Sequence, residues 1–293
     1  MARKNIFQLV EENYDIKMEV EKVYSLFRNQ GYFKSQYSSY TLRSLVDRFL
    51  LKEWKYRGTC IDVDEYLERV DADVSDEDEI TEERIINFLE VMENFIKLYF
   101  DNDEELYNER KIEYYTNFTE IFEDLIKILE KKMGLTTREY KDRIILYPKN
   151  APLEKVVELC DDEDVQWELI RYVREDLSLA EKRKSLAYLA TNLYIEEDKN
   201  EKDERIKSLI NKANNILNNL HIRHNNKTGK WENKVLEGVS EKDAISLCDM
   251  VYNEMLTIVL MREHKQYEEV YSKFNKTQKE VSSKKKTEDT KND

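Results

Sequence analysis

Residues 81–99, TEERIINFLEVMENFIKLY, decide the fold class of this chain. Within them, large apolar side chains recur at intervals of three and four, at Ile85, Phe88, Met92, Phe95 and Tyr99. A helix turns once every 3.6 residues, so this spacing places all of them on one helical face. The stretch therefore predicts a long amphipathic helix that begins at Thr81.

The same spacing continues on both sides of this stretch. It predicts further helices over about 16–30, 42–57, 104–133, 178–193 and 203–220, and a long last helix from Ser240. Asp62 marks one more short helix start, and Ser178 with Glu181 forms a capping box. With only 5 Gly and 2 Pro beside 38% charged residues, the composition favours long helices with solvated faces.

The helical pattern breaks once, at residues 143–147, RIILY, a β-prone run that both prolines of the chain follow. The sequence thus predicts an all-α, two-lobed helical bundle with at most one or two short strands near residues 143–149. The expected parts are an acidic N-terminal lobe over 1–140, a helical bundle over 141–270 and a polar, disordered tail over 271–293.

Acidic residues are concentrated in one part of the chain. The net charge is -14, and residues 61–130 alone carry 6 basic and 24 acidic side chains. Within them, residues 71–79 read DADVSDEDE, and such a run of like charges predicts a solvated loop that could meet a basic partner. A calcium loop is the alternative, but the run lacks the central glycine and the terminal glutamate at the required spacing.

Several features of the sequence bear on the location of the protein and on its need for a metal or cofactor. Cys60, Cys160 and Cys248 are far apart and form no CxxC pair, which argues against a disulfide framework or a zinc site. No signal peptide and no apolar run of about 20 residues is evident, so we expect a cytoplasmic protein without a membrane contact. Phosphate-binding and metalloprotease motifs are missing, so neither a cofactor nor a metal is expected.

The chemistry-bearing residues lie in residues 218–234, NNLHIRHNNKTGKWENK. His221 and His224, two of the three histidines, flank Arg223 there. The segment also holds Lys227, Lys230, Trp231 and Lys234, against the single acid Glu232. Cations bind phosphate, imidazole transfers protons near neutral pH, and an indole face stacks on an unpaired base. The segment therefore predicts contact with RNA.

Two simpler interpretations stay open for this segment. It can be a loop that ends a helix, in which Asn225, Asn226 and Gly229 make a turn and the cations satisfy the last helical carbonyls. A metal site at His221 and His224 is the other, but no third ligand has a suitable spacing.

Four stretches, RIILYPKN, LAEKRKSLAYLA, NILNNLHIRHNNKTGK and LCDMVYNEMLTIVL, follow one another in the second half of the chain. Their order resembles the C-terminal half of bacterial abortive-infection and HEPN-like proteins. The resemblance implies a helical bundle, often dimeric, and a metal-independent ribonuclease that uses an arginine and, after four to six intervening residues, a histidine. By this similarity Arg223 takes the arginine position. Thr228, Gly229 and Lys230 stand where the histidine is expected.

Together these features predict an RNA-binding protein or metal-independent endoribonuclease of the phage-defence type, with a homodimer as one form. Arg223, His224 and His221 are the candidate catalytic residues. The candidate nucleic-acid contacts are Asn225, Asn226, Lys227, Lys230, Trp231 and Lys234. The alternative is a non-catalytic helical interaction module or a structural subunit of a larger assembly.

Overall fold

Helices make up most of the chain in the computed structural model, and the predicted all-α class with a few short strands is confirmed. The structure describes residues 14–114, 118–193, 195, 201–220 and 239–289. The chain divides into two compact units, Met1–Lys149 and Asn150–Asp293.

Six helices form most of the first unit in its described residues. They are α1 (Ile16–Asn29), α2 (Leu42–Leu45), α3 (Val63–Arg69), α4 (Glu82–Asp101), α5 (Asp103–Arg110) and α6 (Phe118–Lys132). The helix α2 runs directly into a π-helical turn, Val46–Leu50, and then a 3₁₀ turn, Leu51–Glu53. Side chains cap the starts where backbone N–H groups lack partners, as Asp62 does for α3 and Thr81 for α4. Both starts agree with the sequence prediction.

The predicted stripe of α4 lies at the centre of the first unit. All five of its members are buried: Ile85, Phe88, Met92, Phe95 and Tyr99. Phe95 stacks on Phe27 of α1 with ring centroids 6.1 Å apart, and Tyr99 meets Phe33 at 5.0 Å. Removing these rings from water is the main favourable term in forming this core.

A hairpin of two strands, β4 (Leu135–Tyr140) and β5 (Arg143–Pro148), closes the first unit. Its two turn residues, Lys141 and Asp142, both have positive φ, as the tightest hairpin turns require. On the other edge of β5, the Asn94 amide bonds to both backbone groups of Ile144. Glu90 accepts a bond from the Leu146 amide, so α4 satisfies this strand edge.

This hairpin changes the predicted division of the chain. The sequence predicted a strand near 143–149, which β5 confirms, but it assigned residues from 141 onward to the second lobe. In the structure Leu135 and Leu146 belong to the core of the first unit. The boundary therefore lies at 149/150, because burial and the bonds from α4 hold β5 to the first unit.

A second, smaller sheet was not predicted. Strands β1 (Phe33–Lys34), β2 (Ser39–Tyr40) and β3 (Glu113–Tyr114) pair in the antiparallel order β2-β1-β3. Strands of two residues show no alternating pattern long enough to recognise in a sequence. The prediction of one or two short strands near residues 143–149 is confirmed there by the hairpin, and this second sheet adds three short strands elsewhere in the first unit.

The single helix predicted over 104–133 is also interrupted. Lys111, just past α5, adopts the left-handed conformation with φ of 55°, and the Ile112 amide bonds to the Leu106 carbonyl. This is the bond pattern of a Schellman ending, which usually depends on glycine. A lysine in that position gives no signal that a helix ends.

Five helices form the second unit in its described residues: α7 (Ala151–Leu159), α8 (Glu163–Arg174), α9 (Leu179–Asn192), α10 (Glu204–Asn219) and α11 (Glu241–Asp289). The predicted capping box of Ser178 and Glu181 starts α9. The central helix is α11, which packs on α7, α9 and α10 and buries Cys248, Val251, Met255 and Ile258 completely.

The helix α11 continues through residues 271–289, where the sequence predicted a disordered tail. No glycine or proline stands in this stretch to end it. By length and composition alone, residues Glu241–Lys276 of α11 are apolar enough to cross a membrane. Several of its apolar side chains, including Val251 and Met255, are however buried inside the second unit, as in a core helix.

Candidate functional site

The nine predicted site residues share one segment, 221–238, which lies outside the described residues. They are Arg223, His224, His221, Asn225, Asn226, Lys227, Lys230, Trp231 and Lys234. The helices on either side, α10 and α11, are described. The geometry available is therefore that of the helix ends which the segment connects.

Two ion pairs show how these helices run. Glu201, just before α10, pairs with Lys265 of α11, and Lys212 of α10 pairs with Glu254 of α11. From the first pair to the second, the position along the chain rises by eleven on the α10 side, from 201 to 212. It falls by eleven on the α11 side, from 265 to 254. The helices are thus antiparallel, and Leu220 is about level with Ser246. We call this end of the second unit, where 221–238 departs and returns, the loop end.

A polar cluster lies about one turn from Ser246, around Asp249 of α11. Asp249 Oδ1 accepts hydrogen bonds from Lys182 Nζ of α9 at 2.6 Å and from Tyr172 Oη of α8 at 3.0 Å. Lys182 Nζ also lies 4.4 Å from the centre of the Tyr172 ring. The lysine side chain is only 13% exposed, whereas that of Asp249 is 45% exposed. Three helices thus hold one carboxylate in place at a partly open edge.

Two stacked tyrosine rings pack at this cluster. The rings of Tyr172 and Tyr252 are nearly parallel, 4° apart, with centroids at 4.3 Å. Tyr252 Oη donates a bond of 2.7 Å to the Leu169 carbonyl. Burial raises the pKa of both phenols above the ordinary value, with Asp249 adding to the rise at Tyr172. Both rings therefore stay neutral and act as hydrogen-bond donors.

Cys248 and Arg183 adjoin the cluster. Burial raises the pKa of the Cys248 thiol to about 11, so it is protonated near neutral pH and does not act as a nucleophile. Arg183 Nε is buried and finds no hydrogen-bond acceptor among the described residues. Beside them, Ser246, Asp249, Met250 and Asn253 line part of a groove of about 540 Å³ along α11.

These residues, which we call the Asp249 cluster (Tyr172, Lys182, Asp249 and Tyr252), were not predicted from the sequence. One signal was present, since Asp249 is an acid inside the apolar run SLCDMVY. A carboxylate at such a position needs partners, because an unpaired buried charge is costly. The cluster holds the Asp249 carboxylate in a fixed orientation. A reaction at this place would need a further group to act as acid or base.

The first unit contains a contrasting carboxyl pair between α4 and α6. Glu130 of α6 is 6% exposed, and its Oε1 has no hydrogen-bond partner in the described part of the chain. Burial, the charge of Glu93 and a hydrogen bond to that residue raise the pKa of Glu130 to about 8. Burial also raises the pKa of Glu93, which Lys127 opposes. The pair therefore holds a proton near neutral pH.

The acidic run 71–79 shows no cation site. Asp71 and Glu79 pair with Arg84, and Asp73 bonds to Ser75 within its own turn, while Ala72 and Val74 are buried. No group of three or more His, Cys, Asp or Glu residues is placed to hold a metal in the described ranges. Contact of this run with a basic partner remains a prediction.

Comparisons with known proteins found no matching family model, curated protein or solved structure. The resemblance of the second half to abortive-infection and HEPN-like proteins therefore remains a prediction from the sequence.

Proposed function

We propose that the second unit acts on RNA, as an RNA-binding protein or a metal-independent endoribonuclease of the bacterial phage-defence type. The observation that supports this most is the place of segment 221–238 in the chain. The two antiparallel helices that it joins have their ends at the loop end, next to the Asp249 cluster. The segment's four lysine and arginine side chains, against two acids, suit it to meet phosphates.

The proposed reaction needs only groups that the segment supplies. The ribose 2′-oxygen bonds to phosphorus while the bond from phosphorus to the 5′-oxygen breaks, which leaves a 2′,3′-cyclic phosphate. His221 or His224 accepts the 2′-hydroxyl proton, and the other imidazole returns a proton to the 5′-oxygen. Arg223 offsets the negative charge that develops on the phosphoryl oxygens.

The test is incubation of the purified full-length protein with single-stranded RNA in the presence of EDTA. We expect cleavage by the unchanged protein and a loss of about 100-fold or more in the variant Arg223→Ala with His224→Ala. The control Arg205→Ala, an exposed arginine of the same unit, should cleave normally. Equal cleavage by the double variant at an unchanged melting temperature would refute the proposed roles.

One observation favours the alternative of a non-catalytic interaction module. Four large apolar side chains of α11 are exposed at helical spacing: Tyr267, Val270, Tyr271 and Phe274. Such a stripe is typical of a helix that packs against another chain. If it mediates self-association, Val270→Glu should lower the mass measured by light scattering, and an unchanged mass would count against this alternative.

A further inference from the structure

Four side chains of the first unit stack in an unbroken row. The Arg48 guanidinium lies 5.8 Å from the centre of the Tyr40 ring, and Tyr40 meets Phe49 edge to face at 5.6 Å. The Arg110 guanidinium then lies 5.7 Å from the centre of the Phe49 ring. The row joins β2, the π-helical turn and the end of α5.

A second contact adjoins this row at the end of α5. Lys111 Nζ lies 5.5 Å from the centre of the Tyr107 ring, which is 51% exposed. Arg48, Arg110 and Lys111 are all exposed. We call these side chains the Arg48–Arg110 surface: Tyr40, Arg48, Phe49, Tyr107, Arg110 and Lys111.

The cations of this surface contact different groups from those that other arginines of the same unit contact. Arg43 pairs with Asp64, and Arg84 pairs with Asp71 and Glu79. By contrast, Arg48, Arg110 and Lys111 contact rings and form no ion pair with any described acid. In a unit this acidic, three cations without a carboxylate remain available to an anionic ligand.

A structural role accounts for part of this arrangement. Arg110 and Lys111 lie at the carboxyl end of α5, where positive charge stabilises a helix. Arg48 does not, because it comes from the π-helical turn Val46–Leu50. Single π-helical turns weaken regular helical bonding and occur frequently at functional sites. This turn is a second reason to assign a function to the surface.

We propose that the Arg48–Arg110 surface binds single-stranded nucleic acid. Its cations suit phosphates, while the guanidinium planes and the exposed Tyr107 ring suit unpaired bases. A duplex would be bound less well, since its bases stack on each other and hide their faces. This proposal concerns the first unit and does not depend on the RNA function proposed for the second.

Fluorescence anisotropy of the full-length protein with a labelled uridine homopolymer tests this assignment. Charge reversal by Arg48→Glu with Arg110→Glu should weaken binding by tenfold or more. It should also flatten the dependence of log Kd on log salt by about 1.4, as expected for two lost phosphate contacts to a single strand. Tyr107→Ala, which changes no charge, should weaken binding by about fivefold or more.

The matched control is Lys22→Glu with Lys52→Glu, which changes the net charge equally at two exposed lysines of the same unit. Binding close to that of the unchanged protein in this control supports a local surface. Equal loss in both double variants, no loss with Tyr107→Ala, or failure of the unchanged protein to bind the homopolymer would overturn the proposal. Binding to anionic phospholipid vesicles but not to RNA would likewise overturn it, in favour of a lipid surface.

Discussion

Two carboxyl groups, one in each unit, differ in the side chains that surround them. Glu130 lies in the core of the first unit beside another acid, Glu93, and its pKa is raised to about 8. Asp249 lies at the loop end of the second unit and accepts bonds from an ammonium group and a phenol. The first group is a neutral acid inside a core, and the second is oriented by its donors at a partly open edge.

The difference indicates which of the two positions suits interaction with a charged ligand. A protonated acid buried between α4 and α6 contributes chiefly to how stability depends on pH. An oriented carboxylate beside Lys182 and Arg183, close to the helix ends that segment 221–238 connects, lies where polar contacts with other molecules can form. Replacing each carboxyl by an amide separates these roles.

The largest effect is expected from Glu130→Gln. Its pKa is about 8 in the folded chain and near 4.5 when unfolded, so between about pH 5 and 8 the folded state holds a proton that the unfolded state has lost. The stability of the unchanged protein should therefore fall as pH rises, by roughly 1.4 kcal/mol per pH unit. The amide removes this loss, so at pH 8 the variant should be more stable by roughly 4 kcal/mol.

Urea unfolding between pH 5 and 9 measures this difference. The control Glu104→Gln, at an exposed glutamate of the same unit, should follow the unchanged protein. Parallel stability curves for Glu130→Gln and the unchanged protein would show that Glu130 does not carry the proton.

A smaller effect of opposite sign is expected from Asp249→Asn. The amide still accepts a bond but lacks the charge that attracts Lys182. Because Asp249 is partly exposed, the free energy of unfolding at pH 7 should fall by about 1.5 kcal/mol. Asp161→Asn, at an exposed position in the same unit, should change it little. If Asp249→Asn raised the free energy of unfolding instead, the two carboxyl groups would not differ in the way described above.

The smallest effect is expected from Tyr172→Phe. This change removes the bond to Asp249 and keeps the ring that stacks on Tyr252. The free energy of unfolding should fall by about 1 kcal/mol. In a cycle with Asp249→Asn the combined loss should be less than the sum of the two losses, because both variants weaken the hydrogen bond between Tyr172 and Asp249. Full additivity would show that Tyr172 and Asp249 act independently.

Local signals in the sequence predicted much of the fold. The starts at Asp62, Thr81 and Ser178 depend on side chains that accept a bond from the backbone N–H three residues further on. The stripe of α4 follows from helical spacing alone. Where the signal was weak, prediction failed, as at Lys111, which ends α5 without glycine.

Contacts between distant residues could not be predicted from such patterns. The bonds from Asn94 to Ile144 span 50 positions and move the hairpin into the first unit. The bond from Lys182 to Asp249 spans 67 positions, so no local motif indicates it. The candidate site in 221–238 was instead predicted from its composition, since cations and histidines are concentrated there. These residues lie outside the part of the chain that the structure describes.

One measurement tests most directly the two roles that we propose, RNA binding by the first unit and RNA cleavage by the second. It compares the affinity for single-stranded RNA, and the rate of its cleavage at saturating RNA with EDTA present, in three proteins. These are the unchanged chain, Arg48→Glu with Arg110→Glu, and Arg223→Ala with His224→Ala. We expect the first variant to bind tenfold or more weakly yet cleave at the normal saturated rate, and the second to bind nearly normally but not cleave. Absence of RNA binding and cleavage by the unchanged chain would contradict this account.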